Sequence, residues 1–306
     1  PPILVDIGAS GSPPAIWDTI GPKSIYLGFD PDRRELYDVP DGRYARSIIV
    51  NKALTTTVVE ETKFYLTTSP YCSSALLPDH KSLSNYLFSD LFAVDNEVLV
   101  PATTLSEVLE HLCLPQVDWF KTDSQGTDLR LFQSLPDNVR SQVLAVDIEP
   151  GLIDAYQGED LFIDAHRELT KQGFWLSGLK VRGAIRLRRS TANKLGDDFL
   201  AMASKTQRPS PGWCEGRYLR EPEWLEIHDA PKERFLLLWI FAMIDQQYGF
   251  ALDVADKYRQ RFESDEWAGF INKEPVSRLK AIESQNGRLP SLVRRAARKV
   301  RRMMSG

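Results

Sequence analysis

The chain has 306 residues, 42% hydrophobic, 10% aromatic and 26% charged, a balance that excludes intrinsic disorder and fibrous repeats and leaves ample apolar material for a large core. Its three cysteines (Cys72, Cys113 and Cys214) form no C-x-x-C pair, which argues against a disulfide framework or a thiolate zinc site and fits a reducing cytoplasm. The net charge of −4 conceals an asymmetry, because residues 291–306 carry six basic side chains and no acid.

Short apolar runs rich in β-branched residues alternate with helical patterns over the first two-thirds, the mark of an α/β protein with a parallel sheet. Strands are predicted at Ile3–Ile7, Ile25–Phe29, Ser47–Val50, Trp119–Thr122 and Val143–Ile148, with two further ones at Phe174–Leu179 and Phe199–Ala203 completing a sheet edge. Leu105, Val108, Leu109 and Leu112 mark one helix face, and Leu129, Leu131, Phe132 and Leu135 another. Residues 55–101 interrupt this rhythm as an insertion, with a strand at Lys63–Thr67, a turn at Ser69–Tyr71 and a helix at Leu83–Phe92. Substrate contacts are expected there.

From about Gln207 the pattern becomes helical only, including Lys232–Gly249, so a boundary is expected near Pro209–Gly212 between an α/β domain (1–206) and a helical region (207–306). The longest apolar run, Phe235 to Ile244, is ten residues, too short for the ~20 that cross a bilayer. Val293, Ala297, Val300 and Met304 recur at helical spacing opposite several arginines. That makes a basic amphipathic tail suited to weak peripheral contact with anionic lipid at the inner face of a membrane, with a solvated or disordered tail as the alternative. Nucleic acid is not expected as a partner, since the rest of the chain is acidic.

The first strand runs into Asp6-Ile7-Gly8-Ala9-Ser10-Gly11, and the second ends in Gly28-Phe29-Asp30. A glycine-rich turn after the first strand lets a ligand approach the backbone, and a carboxylate ending the second strand about 20 residues later can accept both hydroxyls of a ribose. The central glycine of a dinucleotide fingerprint is replaced by Ser10, and Ser12-Pro13-Pro14 interrupts the helix start that would seat a pyrophosphate, so NAD is disfavoured. Asp6 suits an amino group or a loop amide better than a phosphate. S-adenosylmethionine, with a ribose and an ammonium and no phosphate, fits best; a tight turn holding no ligand is the alternative.

Together with Gly28-Phe29-Asp30-Pro31-Asp32, Tyr71-Cys72-Ser73-Ser74, the block from Phe120 to Asp128 and Asp147-Ile148-Glu149, this loop resembles the FkbM family of S-adenosylmethionine-dependent methyltransferases over roughly residues 3–176. The resemblance implies a Rossmann-like class I methyltransferase sheet with helices on both faces, transferring a methyl group to a hydroxyl, often of a sugar, glycan or polyketide. Where the family block usually carries a glutamate after its glycine, this chain has Thr127-Asp128, a shorter acid.

On this reading the cofactor residues are Asp6, Gly8, Ala9, Ser10, Gly11, Asp30, Pro31, Asn51 and Ala53. Tyr71, Ser73, Ser74, Lys121 and Gln125 are the candidates for acceptor binding. Asp123 and Glu149, at neighbouring strand ends, are the catalytic candidates, Asp123 as base or orienting carboxylate. The same pair could hold Mg²⁺, and the sequence leaves that open. Alternatively, Asp123 caps the helix near Thr127 while Lys121 and Glu149 pair across strands. His111 and His166 lie on helices and read as solvated or structural. The acceptor is expected to be a small-molecule or glycan hydroxyl, such as a cell-envelope polysaccharide precursor. A NAD-dependent oxidoreductase and a silent glycan-binding scaffold of the same fold are the competing functions; the oligomeric state is open.

Overall fold

A computed structural model describes residues 1–32, 42–263 and 265–286, which divide into two compact units, Pro1–Glu221 and the part from Pro222 onward. In the first unit a seven-stranded sheet runs β3 (Arg46–Val50), β2 (Ile25–Phe29), β1 (Ile3–Ile7), β7 (Trp119–Thr122), β8 (Ala145–Ile148), β10 (Ser210–Arg220) and β9 (Phe174–Ala184). The first five are parallel to one another, and β10 is antiparallel to both β8 and β9.

All five residues of β1 are buried, as expected for a central strand covered on both faces. Alternation divides its side chains between two environments. Val5 and Ile7 join Leu27, Phe29, Phe120, Val146 and Phe174 in the main core, where α2 (Leu105–His111), α3 (Asp128–Gln133) and α5 (Phe162–Lys171) contribute Leu109, Phe132 and Leu169. The short α4 (Asp137–Arg140) adds Val139. Leu4 and Asp6 instead accompany Tyr26 and Trp119, and Trp17 packs edge-on against both rings. A Thr104–Glu107 capping box starts α2.

The insertion forms a three-stranded sheet in the order β4 (Ala53–Leu54), β6 (Val94–Thr103), β5 (Glu61–Thr67). A small core of Leu83, Phe92 and Tyr156, with Cys72, Leu76 and Phe88 against it, ties this insertion to the loop after β8. The expected helix at Leu83–Phe92 is instead α1 (His80–Leu83), closed on the Asp79 carboxylate, followed by a 3-10 turn at Leu87–Phe92. Phe88 and Phe92 serve this local core and not a continuous helix face.

Two expectations near the end of the first unit are overturned. Phe199–Ala203 is not a strand but lies in α7 (Asp197–Thr206), which follows α6 (Arg189–Leu195); a five-residue apolar run cannot separate strand from helix, and Asp197 and Asp198 in the first turn favour helix. The strand that completes the sheet is instead β10, set between β8 and the edge strand β9, despite Pro211, Gly212 and Gly216 inside it. Its ladder bulges between Pro211 and Trp213, where a proline is tolerated. The chain beyond Gln207 is therefore not helical only, and the first unit extends to Glu221.

The second unit contains α8 (Pro222–Ile227), α9 (Lys232–Ile244), α10 (Tyr248–Arg261) and α11 (Trp267–Asn286). Phe235, Leu238, Phe241, Val254 and Tyr258 form its interior, and Trp239 Nε1 donates to the Ile271 carbonyl at 3.0 Å. The helix expected over Lys232–Gly249 ends at Ile244, with Gln246 in the left-handed region at φ 60° turning the chain into α10. Among the described residues no helix is long and apolar enough to cross a membrane. The basic tail at 291–306 lies outside the described residues.

Candidate active site

The strand order reverses between β2–β1 and β7–β8, and ligands of open α/β sheets bind at the carboxyl ends of the strands at such a switch point. A cavity of about 370 Å³ opens there, within the range of small-molecule sites. Gly8, Ser10, Asp30, Pro31, Ala53, Tyr71, Ser73, Asp123, Gln125 and Glu149 all line it. Asp6, Ala9, Gly11, Asn51, Ser74 and Lys121 do not, and most of these support residues that do.

Asp6 is the clearest case. Its carboxylate receives the Lys121 ammonium at 2.6 Å and the Tyr26 hydroxyl at 3.0 Å, so the amino group that it takes belongs to the protein. Burial disfavours the Lys121 charge, but Asp6 and Asp123 outweigh it and hold the ammonium above its ordinary pKa. In register, Asp6, Lys121, Asp147 and Arg217 form a row of alternating charge across β1, β7, β8 and β10. Arg217 bonds Asp147 through two nitrogens at 2.8 Å. Lys121 is thus a structural cation beneath the cavity and not an acceptor contact.

Gly8 has φ +75°, and a Cβ there would stand 2.1 Å from the Asp123 carbonyl oxygen. The glycine is required by close passage of the β7 strand end. Ala9 N–H donates to the Phe29 carbonyl at 3.0 Å, which closes the loop. No α-helix follows directly; bends lead to a 3-10 turn at Ala15–Trp17.

Asp30 is buried, and one of its oxygens accepts the Asp32 N–H at 2.8 Å. Burial raises its pKa to about 6, offset by that N–H and reinforced by the Asp32 and Asp123 charges. Asn51 holds the strand end by donating to the Asp30 carbonyl at 2.7 Å.

Asp123 follows β7, and its N–H donates to the Ile7 carbonyl. Gln125 Nε2 donates to Asp123 Oδ1 at 2.6 Å, while Gln125 Oε1 lies 2.8 Å from the Tyr156 hydroxyl, which is also 2.9 Å from the Cys72 carbonyl. Gln125 (φ 56°) and Gly126 (φ 106°) make the sharp turn, and Ser74 Oγ braces it by donating to the Gln125 carbonyl at 2.7 Å. Ser73 accepts the Thr67 N–H, whereas Tyr71 is 60% exposed at the cavity mouth.

Asp123 does not cap α3. That loop is clasped by Asp128, fully buried, which accepts from Thr122 Oγ1 at 2.9 Å and Ser124 N–H at 3.1 Å. The shorter acid at this position is therefore a structural clasp.

Glu149 follows β8 and accepts no hydrogen bond from any described residue. Burial first, then the Asp123 charge, push its carboxyl up to about 8; Asp123 is itself raised to about 6, chiefly by burial, with Lys121 pulling the other way. Glu159, bonded to the Ala155 N–H, is raised to about 7 by burial. Tyr156, Glu159, Phe88 and Trp213 line the cavity and were not legible in the sequence, because they come from loops and from the unforeseen β10.

Among the described residues no three His, Cys, Asp or Glu side chains come together as a metal site. Mg²⁺ on Asp123 and Glu149 would need oxygen ligands beyond these two carboxylates. His166 stacks on Phe162 and lies 3.2 Å from the Tyr218 hydroxyl, a packing role, and His111 is exposed at the end of α2.

Neither a curated protein nor a solved structure matches the chain. A family model does, the methyltransferase FkbM domain, over residues 14–176, more than half of the sequence and spanning β2 to the start of β9 with the Asp30, Asp123 and Glu149 strand ends. The chain belongs to the methyltransferase FkbM domain family.

Proposed function

We propose that the cavity binds S-adenosylmethionine and that the protein methylates a hydroxyl of a sugar or glycan. The observation that carries this reading is the convergence of Asp30, Asp123 and Glu149 on one cavity at a sheet switch point. The residues fit the cofactor. Asp30 is a buried carboxylate with a single N–H donor among the described residues, so a ribose diol would supply the donors it lacks. The loop after β1 offers no α-helical start for a pyrophosphate, which favours a nucleoside without phosphate over a dinucleotide.

When bound, S-adenosylmethionine supplies a methyl group on a sulfonium, open to in-line attack by oxygen. The chain has to orient the acceptor and remove its proton. Asp123, fixed by Gln125, orients the hydroxyl. Glu149, whose raised pKa makes it a stronger base than an ordinary carboxylate, takes the proton onto a carboxylate oxygen.

The test is Asp123→Asn assayed with ¹³C-methyl-labelled cofactor and a carbohydrate acceptor pool. Cofactor affinity should stay within about threefold while transfer falls at least about a hundredfold. Undiminished transfer would contradict the assignment.

A further inference from the structure

The cavity is chemically asymmetric. Along the sheet, Asp30 and the β1 loop stand on one side of Asp123, and Glu149 with the loop after β8 on the other. The second side carries two carboxylates, Glu149 and Glu159, and two aromatic rings, Phe88 and Trp213, which lie 8° from parallel with centroids 6.2 Å apart. Gly151 leaves room for Glu159: a Cβ there would stand 2.9 Å from Glu159 Oε1. Among the described residues the cavity's lining cation is Lys52, which follows β3 at the opposite end of the strand order.

A half-buried carboxylate such as Glu149, with no donor of its own, is best satisfied by a ligand that brings hydrogen-bond donors. Once ionised, above its raised pKa, it repels a ligand that brings negative charge. Flat aromatic rings beside carboxylates suit a ring with one C–H face and polar edges.

We infer that this side is the acceptor subsite and that it selects a sugar carrying hydroxyl or amino donors and no acidic group, with Glu149 and Glu159 as the selecting residues. The inference rests on the methyl-transfer reading and specifies its substrate class. With both carboxyls ionised, uronic acids and sugar phosphates are excluded by like charge at the point of attack, whereas neutral and amino sugars are admitted.

The test uses the whole protein saturated with S-adenosylhomocysteine at about pH 9, where Glu149 and Glu159 are both ionised, and measures binding of methyl glucoside, glucosamine, glucuronate and glucose 6-phosphate by saturation-transfer NMR. The two non-acidic sugars should bind, and the two acids should be at least about tenfold weaker, as two like charges within a few ångströms at a partly buried site require. Glu149→Gln and Glu159→Gln, which keep shape and lose charge, should each narrow that gap at least about threefold while still binding S-adenosylhomocysteine, a check that they fold. Acidic sugars binding as tightly as neutral ones, a gap unchanged in both variants, or no sugar binding to the S-adenosylhomocysteine complex would overturn the inference. Failure to bind S-adenosylhomocysteine would instead overturn the cofactor reading beneath it.

Discussion

Lys121 and Asp6 form an ion pair at 2.6 Å across the parallel strands β7 and β1, two residues before Asp123 and Gly8, which follow the same strand ends. Asp6 is almost wholly buried in this pair, and the Lys121 side chain keeps about a quarter of its exposure. The ammonium thus lies beneath the carboxylates of the cavity and lowers the cost of ionising both Asp123 and Glu149.

Removing the cation while leaving the buried anion should be costly. Lys121→Met is expected to lower stability by about 2–4 kcal/mol, below the full figure for a buried pair because Lys121 is partly solvated. The double variant with Asp6→Asn should recover a substantial part of the loss. Chemical denaturation of the two variants measures this, and a loss under about 0.5 kcal/mol would show that the pair contributes little.

Gly8→Ala places a methyl group 2.1 Å from the Asp123 carbonyl in a backbone region that L-residues rarely adopt. The strand ends must part, so a destabilisation above about 2 kcal/mol is expected, together with displaced Asp123 and weakened cofactor binding. Gly11 shares the positive φ, but a Cβ there meets nothing within 4 Å, so Gly11→Ala should cost only the backbone term, about 1 kcal/mol. Thermal melts of the two variants give the comparison, and equal losses would contradict the close-passage explanation.

The parallel strands were readable because continuous apolar runs such as Ile3–Ile7 and Ile25–Phe29 carry a strong local signal, and their ends announced Asp30, Asp123 and Glu149. What the sequence hid depends on distant partners. Nothing local says that Asp6 meets Lys121 across 115 positions, or that Ser74 braces Gln125 and not a ligand. β10 was obscured by its own proline and glycines, and Trp213 went unread with it. Glu159 and Tyr156 reach the cavity only because the insertion's small core packs on their loop.

Glu149 should make the site both active and costly. Its folded pKa, raised to about 8 from an ordinary 4.5, means that the folded protein retains a proton there that the unfolded chain has shed. That contribution is fully present below about pH 4.5 and is lost as pH rises through about 8. Glu149→Gln should therefore flatten the decline of stability between pH 5 and 9, gaining on the order of 1 kcal/mol at the alkaline end because the carboxylate is half-exposed. Wild-type methyl transfer should rise with pH toward about 8, as the base ionises, and the variant should lose it. Denaturation midpoints across that range test the stability limb; a variant tracking the wild type at every pH would contradict the raised pKa.

The central claim is tested most directly by calorimetric titration of the protein with S-adenosylmethionine between pH 5 and 8, with Asp30→Ala alongside. Micromolar affinity is expected above pH 6, weakening as pH falls and Asp30, raised to about 6, takes up a proton and can no longer accept both ribose hydroxyls. Asp30→Ala should bind at least about tenfold more weakly and lose the pH dependence. No heat of binding at any pH, or an Asp30→Ala protein that binds as the wild type does, would contradict the account.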